Sequence, residues 1–260
     1  MTYLIAEIGI NHNGDIGIAK DLILHAKSAG CDAVKFQKRT INIVYSEAIL
    51  NQKRESPWGS TQRDQKTGLE FNLEQYQVIN DFCTEVGIDW FASSWDIESQ
   101  KLMRRFNFKH NKVASAMATN IPFMKFVASE GIHTFLSTGM MDTEMIDKAV
   151  DVFKSNDCPF TLMHTVSTYP ALEEEINLRC IQTLKERYKV PVGYSGHEAS
   201  VSPSLMAVIL GAEAIERHIT LDRAMYGSDQ AASLELSGFI QLSGMIKKAS
   251  KCLGDGKIKI

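Results

Sequence analysis

Two histidines late in the chain lie at or just beyond the ends of predicted strands, where their side chains could bind a metal ion together. His197 closely follows the apolar run 190–195, and His218 ends the run 212–218; both runs are predicted β-strands. If these strands are parallel neighbours, both imidazoles lie at one end of one sheet, at a separation that a divalent ion can bridge. Glu216 faces the same side as His218, because side chains alternate along a strand. The alternative is two unrelated histidines, each hydrogen-bonded at the sheet end, since no contiguous histidine motif links them.

The elements that would position these residues follow a repeated pattern. An amphipathic helix, a glycine and a short β-rich run recur in this order, with glycine expected where a helix ends in a left-handed residue. The β-rich runs of this unit are 31–37, 88–94, 132–138 and 212–218. Four further runs complete the set: 3–9, 111–115, 159–165 and 190–195. The chain therefore alternates strands and helices along its whole length.

Strands that alternate with helices predict a parallel sheet, and eight such units favour a closed (β/α)8 TIM barrel. A length of 260 residues suits one barrel domain, residues 1–260. An open doubly wound sheet is the alternative, but it usually has fewer strands and often a glycine-rich phosphate turn. The turn at residues 9–14, Gly-Ile-Asn-His-Asn-Gly, lacks the spacing of such a motif.

Composition excludes several classes of protein. The hydrophobic content of 44% and charged content of 23% are ordinary for a globular chain. A net charge of −3 argues against nucleic-acid binding through phosphate neutralisation. No apolar run approaches the roughly 18 residues of a membrane span, and the first residues carry no leader signal. The 5 cysteines are scattered without a paired motif, as expected in a reducing compartment. We therefore expect a cytoplasmic protein without membrane partners.

Residues 38–72 interrupt the compact pattern. This segment is polar, has little periodicity, and contains Pro57-Trp58-Gly59 and a charged stretch at 62–66. Long irregular connections in compact domains are usually functional lids or disordered inserts. Because it follows the second strand, the segment lies on the rim where barrel chemistry occurs, and we interpret it as a substrate-covering loop.

The carboxyl ends of the strands carry many polar side chains, and active sites of barrels form there. They are Glu7, Asn11, His12, Lys35, Gln37, Ser93, Ser94, Asp96, Lys112, Ser115, Ser137, Thr138, His164, Ser167, Tyr169, Ser195, His197, Glu216 and His218. Two lysines amid several hydroxyls are typical of a phosphate site. Two mechanisms remain open on these residues: a metal-dependent lyase or aldolase that binds phosphate, and an aldolase that forms a Schiff base with lysine.

The amino-acid sequences of several motifs resemble those of the sialic acid synthase family. The motifs are Ala-Glu-Ile-Gly-Ile-Asn-His-Asn-Gly at 6–14, Val-Lys-Phe-Gln at 34–37, Leu-Ser-Thr-Gly-Met at 136–140, Ser-Gly-His at 195–197 and Glu-Arg-His at 216–218. The resemblance runs from residue 3 to about residue 256, and the segment 217–235 is most similar to the animal-type branch. It implies a C–C bond-forming transferase that condenses phosphoenolpyruvate with an N-acylmannosamine, or its 6-phosphate, to give a sialic acid or its 9-phosphate.

Site roles follow from the resemblance, residue by residue. It implies a divalent ion on His197 and His218, with Mn²⁺ preferred and Mg²⁺ and Co²⁺ as the alternatives. It implies that phosphoenolpyruvate binds Lys35, Ser94, Lys112, Ser115, Ser137, Ser167 and Ser195. The sugar would contact Gln37, Tyr169 and Asp229. Either Glu7 or Glu216 would assist the addition of water, and a homodimer is implied.

Two departures from the family pattern affect the acceptor. Most relatives have a C-terminal antifreeze-like domain that supplies an arginine to the partner's sugar site, and we expect none here. Met117 stands where relatives commonly carry an acidic residue. The alternatives to a sialic acid synthase are therefore the same chemistry on another aldose, a non-catalytic protein that binds phosphoenolpyruvate, and, more remotely, a metal-dependent hydrolase.

Overall fold

Eight parallel strands close into a barrel, so the (β/α)8 prediction is confirmed and the open sheet is excluded. The structure is a computed structural model that describes residues 2–254 and 257. Its strands are β1 (Tyr3–Gly9), β2 (Ala33–Lys38), β3 (Lys53–Ser56), β4 (Gly59–Thr61), β5 (Asp89–Ser94), β6 (Asn111–Val113), β7 (Thr134–Ser137), β8 (Phe160–Thr165), β9 (Val192–Gly196) and β10 (Ala214–His218). Around the barrel the order is β1-β10-β9-β8-β7-β6-β5-β2, and β2 pairs with β1 to close it.

Helices separate the barrel strands and cover the outside of the sheet. They are α1 (Ile16–Ala29), α2 (Ile41–Val44), α3 (Glu47–Leu50), α4 (Gln62–Gly68), α5 (Leu73–Val86), α6 (Ile97–Met103), α7 (Ile121–Ala128), α8 (Thr143–Ser155), α9 (Cys180–Tyr188), α10 (Ser202–Ile209) and α11 (Leu236–Leu253). The predicted glycine ends are confirmed at Gly30 and Gly87, which are left-handed with φ of 83° and 69°. No helix of the described residues is both long and apolar enough to cross a membrane.

The interior of the barrel is layered by the alternation of side chains. Ile5, Phe91, Phe135 and Met163 belong to a small apolar cluster inside the barrel. Two residues further along β1, Glu7 is the next inward side chain, and the same step on the other strands gives further polar residues. The apolar layer therefore closes the barrel beneath a polar layer at the carboxyl ends of the strands.

The segment 38–72 is more regular than its sequence indicates. It contains α2, α3, the antiparallel hairpin β3–β4 and α4, so the expectation of an irregular loop is wrong. Trp58 packs so closely on Gly68 that a methyl group there would lie 2.1 Å from Cγ of the indole. Arg63 donates to Asn42 and Glu47, which ties α4 to α2 and α3. We call this ordered segment, residues 38–72, the rim insert.

His12 connects β1 to the rim insert. Its ring stacks on Phe71 with 4.0 Å between ring centroids, and Nδ1 accepts a hydrogen bond of 3.0 Å from the amide of Gly14. The side chain is 1% exposed, and burial lowers its pKa to about 3. The folded protein therefore holds His12 neutral at pH values where the unfolded chain is protonated.

Acid should therefore destabilise the fold partly through His12. Between the unfolded pKa of about 6.5 and the folded value, the unfolded state binds the extra proton, so stability falls as pH falls through this window. We expect His12→Asn to reduce the pH slope of the unfolding free energy by about 1.4 kcal/mol per pH unit near pH 5. Denaturant unfolding at pH 7 and pH 5 measures this slope. Equal slopes for the two proteins would contradict the assignment.

Candidate active site at the barrel mouth

One cavity of about 190 Å³ opens at the carboxyl ends of the strands, and all but two of the predicted site residues line it. Those residues are Glu7, Lys35, Gln37, Lys112, Ser115, Ser137, Ser167, Tyr169, Ser195, His197, Glu216 and His218. They come from both ends of the sequence and from every strand of the barrel, or the loop that follows it, except β5, which contributes Ser93. The barrel thus brings together the residues that the strand-end analysis selected.

Four buried charges form the floor of this cavity. Lys35 Nζ lies 2.7 Å from Glu7 Oε2 and 3.6 Å from Glu216 Oε1. Lys112 Nζ lies 3.1 Å from Glu216 Oε2. We call these four residues the ion-pair network. Its two ammonium groups and two carboxylates give a formal charge of zero, so each buried lysine has a carboxylate partner in the interior.

The pKa values of the network differ with the number of partners. Burial raises the pKa of Glu216, but Lys112 and Lys35 outweigh this effect and hold it at about 2. Burial lowers the pKa of both lysines; Glu216 and Glu7 reverse the shift at Lys35, whereas at Lys112 the net shift stays downward. Lys112 is therefore the more acidic ammonium group of the two. Its Nζ also forms no hydrogen bond of good geometry within the described residues.

Hydroxyl groups line the cavity beside the ion-pair network and surround Gly139. A methyl group at Gly139 would lie 2.4 Å from Ser167 Oγ and 2.6 Å from Ser115 Oγ, so only glycine fits between them. Ser93 Oγ is fully buried and has no hydrogen-bond partner among the described residues. Hydroxyl donors beside two lysines make a chemically suitable site for phosphate or carboxylate oxygens.

His197 and His218 lie side by side with 5.5 Å between ring centroids. Nδ1 of His197 donates to the carbonyl of Val166 at 2.6 Å, which leaves Nε2 as an acceptor for the Tyr169 hydroxyl at 2.9 Å. Burial lowers the pKa of His197 to about 3, so the ring is neutral. Nδ1 of His218 is buried and neither accepts nor donates a hydrogen bond among the described residues.

Neutral imidazoles oriented by a backbone carbonyl are suitable ligands for a divalent ion. The unpartnered nitrogen of His218 and the acceptor nitrogen of His197 therefore fit this role. Within residues 2–254 and 257, no three side chains of His, Cys, Asp or Glu are arranged to hold a metal. The remaining ligands of an ion here would be substrate oxygens or water.

A second buried ion pair fixes the loop that carries His197. Arg217 points away from the cavity, is fully buried, and donates to Glu198 Oε1 at 2.8 Å. The Tyr194 hydroxyl donates to the other carboxylate oxygen of Glu198 at 2.8 Å. Arg217 precedes His218 on β10, and Glu198 follows His197 in the loop after β9. The contact between Arg217 and Glu198 therefore fixes the positions of the two histidines relative to each other.

Two predicted site residues lie outside the cavity. Ser94 lies on the opposite side of β5, since Phe91 and Ser93 face the barrel interior, and the cavity is lined by Ser93 instead. Asp229 lines a neighbouring cavity, although its Oδ2 is 3.8 Å from His218 Nδ1. Strict alternation from Phe91 is the signal that identifies Ser93.

The neighbouring cavity, of about 310 Å³, contains residues that the sequence analysis missed. Arg39, Arg54 and Lys66 of the rim insert line it, together with Glu70. Gln37, Trp95 and Tyr169 line both cavities, so the two are continuous. The rim insert therefore contributes one wall of the site region, as its position after the second strand predicted.

Comparison with known proteins gives the family. Residues 22–258 match the NeuB family. The chain is 33% identical over 265 residues to the N,N'-diacetyllegionaminic acid synthase of Legionella pneumophila, covering 99% of the chain and 74% of that protein. It is 35% identical over 255 residues to the N-acetylneuraminate-9-phosphate synthase of Homo sapiens, covering 97% of the chain and 71% of that protein.

A solved structure agrees with this result across the entire chain. The N-acetylneuraminic acid (sialic acid) synthetase of Leptospira borgpetersenii superposes with a TM-score of 0.90 at 31% identity, covering 100% of the chain and 87% of that structure. The resemblance found in the motifs is therefore confirmed, and this chain belongs to the NeuB family.

Proposed function

We propose that this protein catalyses the condensation of phosphoenolpyruvate with an N-acylmannosamine, or its 6-phosphate, to form a sialic acid or its 9-phosphate and inorganic phosphate. The observation that carries the proposal is the neutral ion-pair network beside the Ser115–Gly139–Ser167 cradle. This arrangement offers two ammonium groups and several hydroxyls to a small substrate with phosphate and carboxylate groups. Membership of the NeuB family supports the same reaction class.

Phosphoenolpyruvate would lie on the floor of the cavity. Lys112 is the better placed lysine for the phosphate, because its Nζ has a single carboxylate neighbour. Ser93, Ser115, Ser137 and Ser167 would donate to the remaining anionic oxygens. In this arrangement the substrate takes over interactions that Glu216 makes in its absence.

The reaction forms one carbon–carbon bond and breaks one carbon–oxygen bond. C3 of phosphoenolpyruvate attacks the aldehyde carbon of the open-chain sugar, and positive charge develops at C2. Water adds at C2, and the tetrahedral intermediate loses phosphate with its bridging oxygen, leaving the keto group. One proton from water ends on the new hydroxyl and the other on phosphate, while Lys35 and Lys112 stabilise the departing anion.

Glu7 is the better candidate for directing the water molecule. Glu216 contacts both lysines and accepts a hydrogen bond of 3.1 Å from Ser195, so it is the ionic centre of the network. Glu7 contacts one lysine and accepts from Gln37 at 2.8 Å, on the side where Gln37 lines both cavities. A Cβ atom at Gly9 would lie 3.1 Å from Glu7 Oε1 and 3.4 Å from His218 Cε1, so Glu7 also lies near the imidazole pair.

We further propose that His197 and His218 hold a divalent ion, with Mn²⁺ as the preferred species. Such an ion supplies Lewis acidity toward an aldehyde oxygen. The chain's own contribution is a pair of imidazoles: His197 is neutral and held by the Val166 carbonyl, and His218 follows Arg217, which the contact with Glu198 fixes.

A second acceptor class has support from the comparisons. This chain is 35% identical to a relative named N-acetylneuraminate-9-phosphate synthase and 33% identical to one named N,N'-diacetyllegionaminic acid synthase. The same phosphoenolpyruvate chemistry on a diacetamido aldose is therefore the alternative.

The direct test is the mass of the product. Incubation with phosphoenolpyruvate, Mn²⁺ and N-acetylmannosamine or its 6-phosphate should give a nine-carbon 2-keto acid or its phosphate, with one phosphate released per product. In heavy-oxygen water the released phosphate should carry no label, because its bridging oxygen comes from the substrate. Phosphate release without an acceptor, or tight binding of phosphoenolpyruvate without turnover of any acceptor, would contradict the proposal.

Lys112→Ala should raise the KM for phosphoenolpyruvate by about tenfold or more, because one charge-assisted contact to an anion is lost. Lys109→Ala is the matched control, since Lys109 pairs with Asp89 at the opposite end of the barrel and is 69% exposed. Steady-state kinetics with varied phosphoenolpyruvate measures both variants. An unchanged KM in Lys112→Ala would remove this lysine from the site.

His218→Ala should weaken Mn²⁺ binding by about 100-fold and abolish turnover, because a single imidazole is a poor site for the ion. Calorimetry or electron paramagnetic resonance of free Mn²⁺ measures binding without relying on activity. His25→Ala serves as the control, because His25 lies on α1 and does not line the cavity. Wild-type affinity for Mn²⁺ in His218→Ala would count against the metal site.

A further inference from the structure

The cavity beneath the rim insert has an excess of positive charge. Arg39, Arg54 and Lys66 line it, against Glu70 and Asp229. Glu70 is already engaged, at 3.0 Å from Lys38 and 3.4 Å from Arg39. Within the described residues, neither Arg54 nor Lys66 has a carboxylate partner within ion-pair distance.

Asp229 does not offset this charge, because it lies at the other side of the cavity. Its Oδ2 is 3.8 Å from His218 Nδ1, on the side of the imidazole pair. The unneutralised charge is therefore on the side of the cavity formed by β3 and α4, away from the reacting groups.

The three cations are held near one another by aromatic and polar contacts. The Arg39 guanidinium stacks at 4.1 Å on the Trp95 ring, and Lys66 Nζ lies 4.1 Å over the ring of Tyr45. Partial burial, together with Arg39 and Arg54, lowers the pKa of Lys66. Arg39 Nε is buried and has no hydrogen-bond partner in the part of the chain that the structure describes. Cations brought together with an unpartnered donor are the composition of an anion site.

This anion site is continuous with the reaction site. Gln37, Trp95 and Tyr169 line both cavities, and Tyr169 also donates to His197. A sugar whose aldehyde lies at the imidazoles therefore extends its far end toward the rim insert. An N-acylmannosamine has only neutral groups at that end, whereas its 6-phosphate carries a dianion there.

We propose that the acceptor of this enzyme is a phosphorylated aldose, and that Arg54 and Lys66 bind its phosphate and select it over the unphosphorylated sugar. This inference rests on the proposed function. Arg54 supplies a planar donor pair and Lys66 a point charge, while Arg39 is a weaker contributor because Glu70 neutralises it.

The rim insert is ordered enough to act as a fixed recognition surface. Thr61 and Asp64 cap the start of α4 reciprocally, and Trp58 packs against Gly68 and near Tyr226 with 5.8 Å between ring centroids. Arg54 is exposed and Lys66 is half-buried, and neither is part of these packing contacts. Substitution of either cation should therefore leave the fold intact.

The test compares N-acetylmannosamine with its 6-phosphate at saturating phosphoenolpyruvate and Mn²⁺. The wild type should prefer the 6-phosphate, and Arg54→Gln/Lys66→Gln should lose about 100-fold in kcat/KM for it, with no loss for the unphosphorylated sugar. Lys53→Gln is the matched control, because it removes one positive charge from the same hairpin without altering the cavity lining. Rising salt concentration should weaken binding of the phosphorylated acceptor and leave binding of the unphosphorylated sugar unchanged, because salt screens the attraction between charges.

Two outcomes would overturn this inference while leaving the proposed function intact: equal kcat/KM for both acceptors in the wild type, or an equal loss on both in the double variant. If neither acceptor turns over, the proposed function fails, and calorimetry with the 6-phosphate still decides the anion site. Binding that is lost in Arg54→Gln/Lys66→Gln but kept in Lys53→Gln supports the site. Absence of binding to the wild type refutes it.

Discussion

The ion-pair network of Glu7, Lys35, Lys112 and Glu216 is the constraint around which the barrel mouth is arranged. An isolated ammonium group in this interior would lose its proton or unfold the site, because burial of an unpaired charge is costly. Two carboxylates keep both lysines ionised while the cavity is closed beneath by an apolar layer. Removal of one partner from such a pair typically costs about 3–5 kcal/mol, so the four residues act as one unit.

The same network explains how a neutral site can bind a strongly anionic substrate. Lys112 Nζ and Ser93 Oγ are buried donors without good hydrogen bonds in the described structure. Both atoms can therefore donate hydrogen bonds to a bound ligand. Before a ligand binds, Glu216 balances the charge of Lys112. When an anionic ligand binds, Lys112 exchanges contacts with Glu216 for contacts with ligand oxygens. This exchange needs less rearrangement of the site than the ionisation of a neutral group inside the barrel would.

Periodicity was sufficient to predict the barrel and most of the site, because both depend on local rules. Glycine ends of helices and alternation along strands located Glu7, Lys35 and Glu216 on one inner surface without any tertiary information. The choice between the two adjacent serines that end β5 needed the structure, in which Ser93 lines the cavity and Ser94 does not. Arg54 gave no signal in the sequence, and Lys66 appeared only as part of the charged stretch 62–66. Their pairing depends on the packing of the β3–β4 hairpin against α4.

Some cavity residues come from the barrel strands and others from the rim insert, and this difference suggests which part of the protein determines the acceptor within the family. The chain is 33% identical to a relative named for a diacetyllegionaminic product and 35% identical to one named for a 9-phosphate product, so overall similarity does not choose between acceptors. The chemistry of carbon–carbon bond formation needs the inward residues of the strands, which the barrel fixes in register. In the proposed arrangement the acceptor's far end contacts the rim insert, whose cavity-lining residues lie outside the barrel strands. Charge on that insert is therefore where a change of acceptor requires the fewest changes in the rest of the protein.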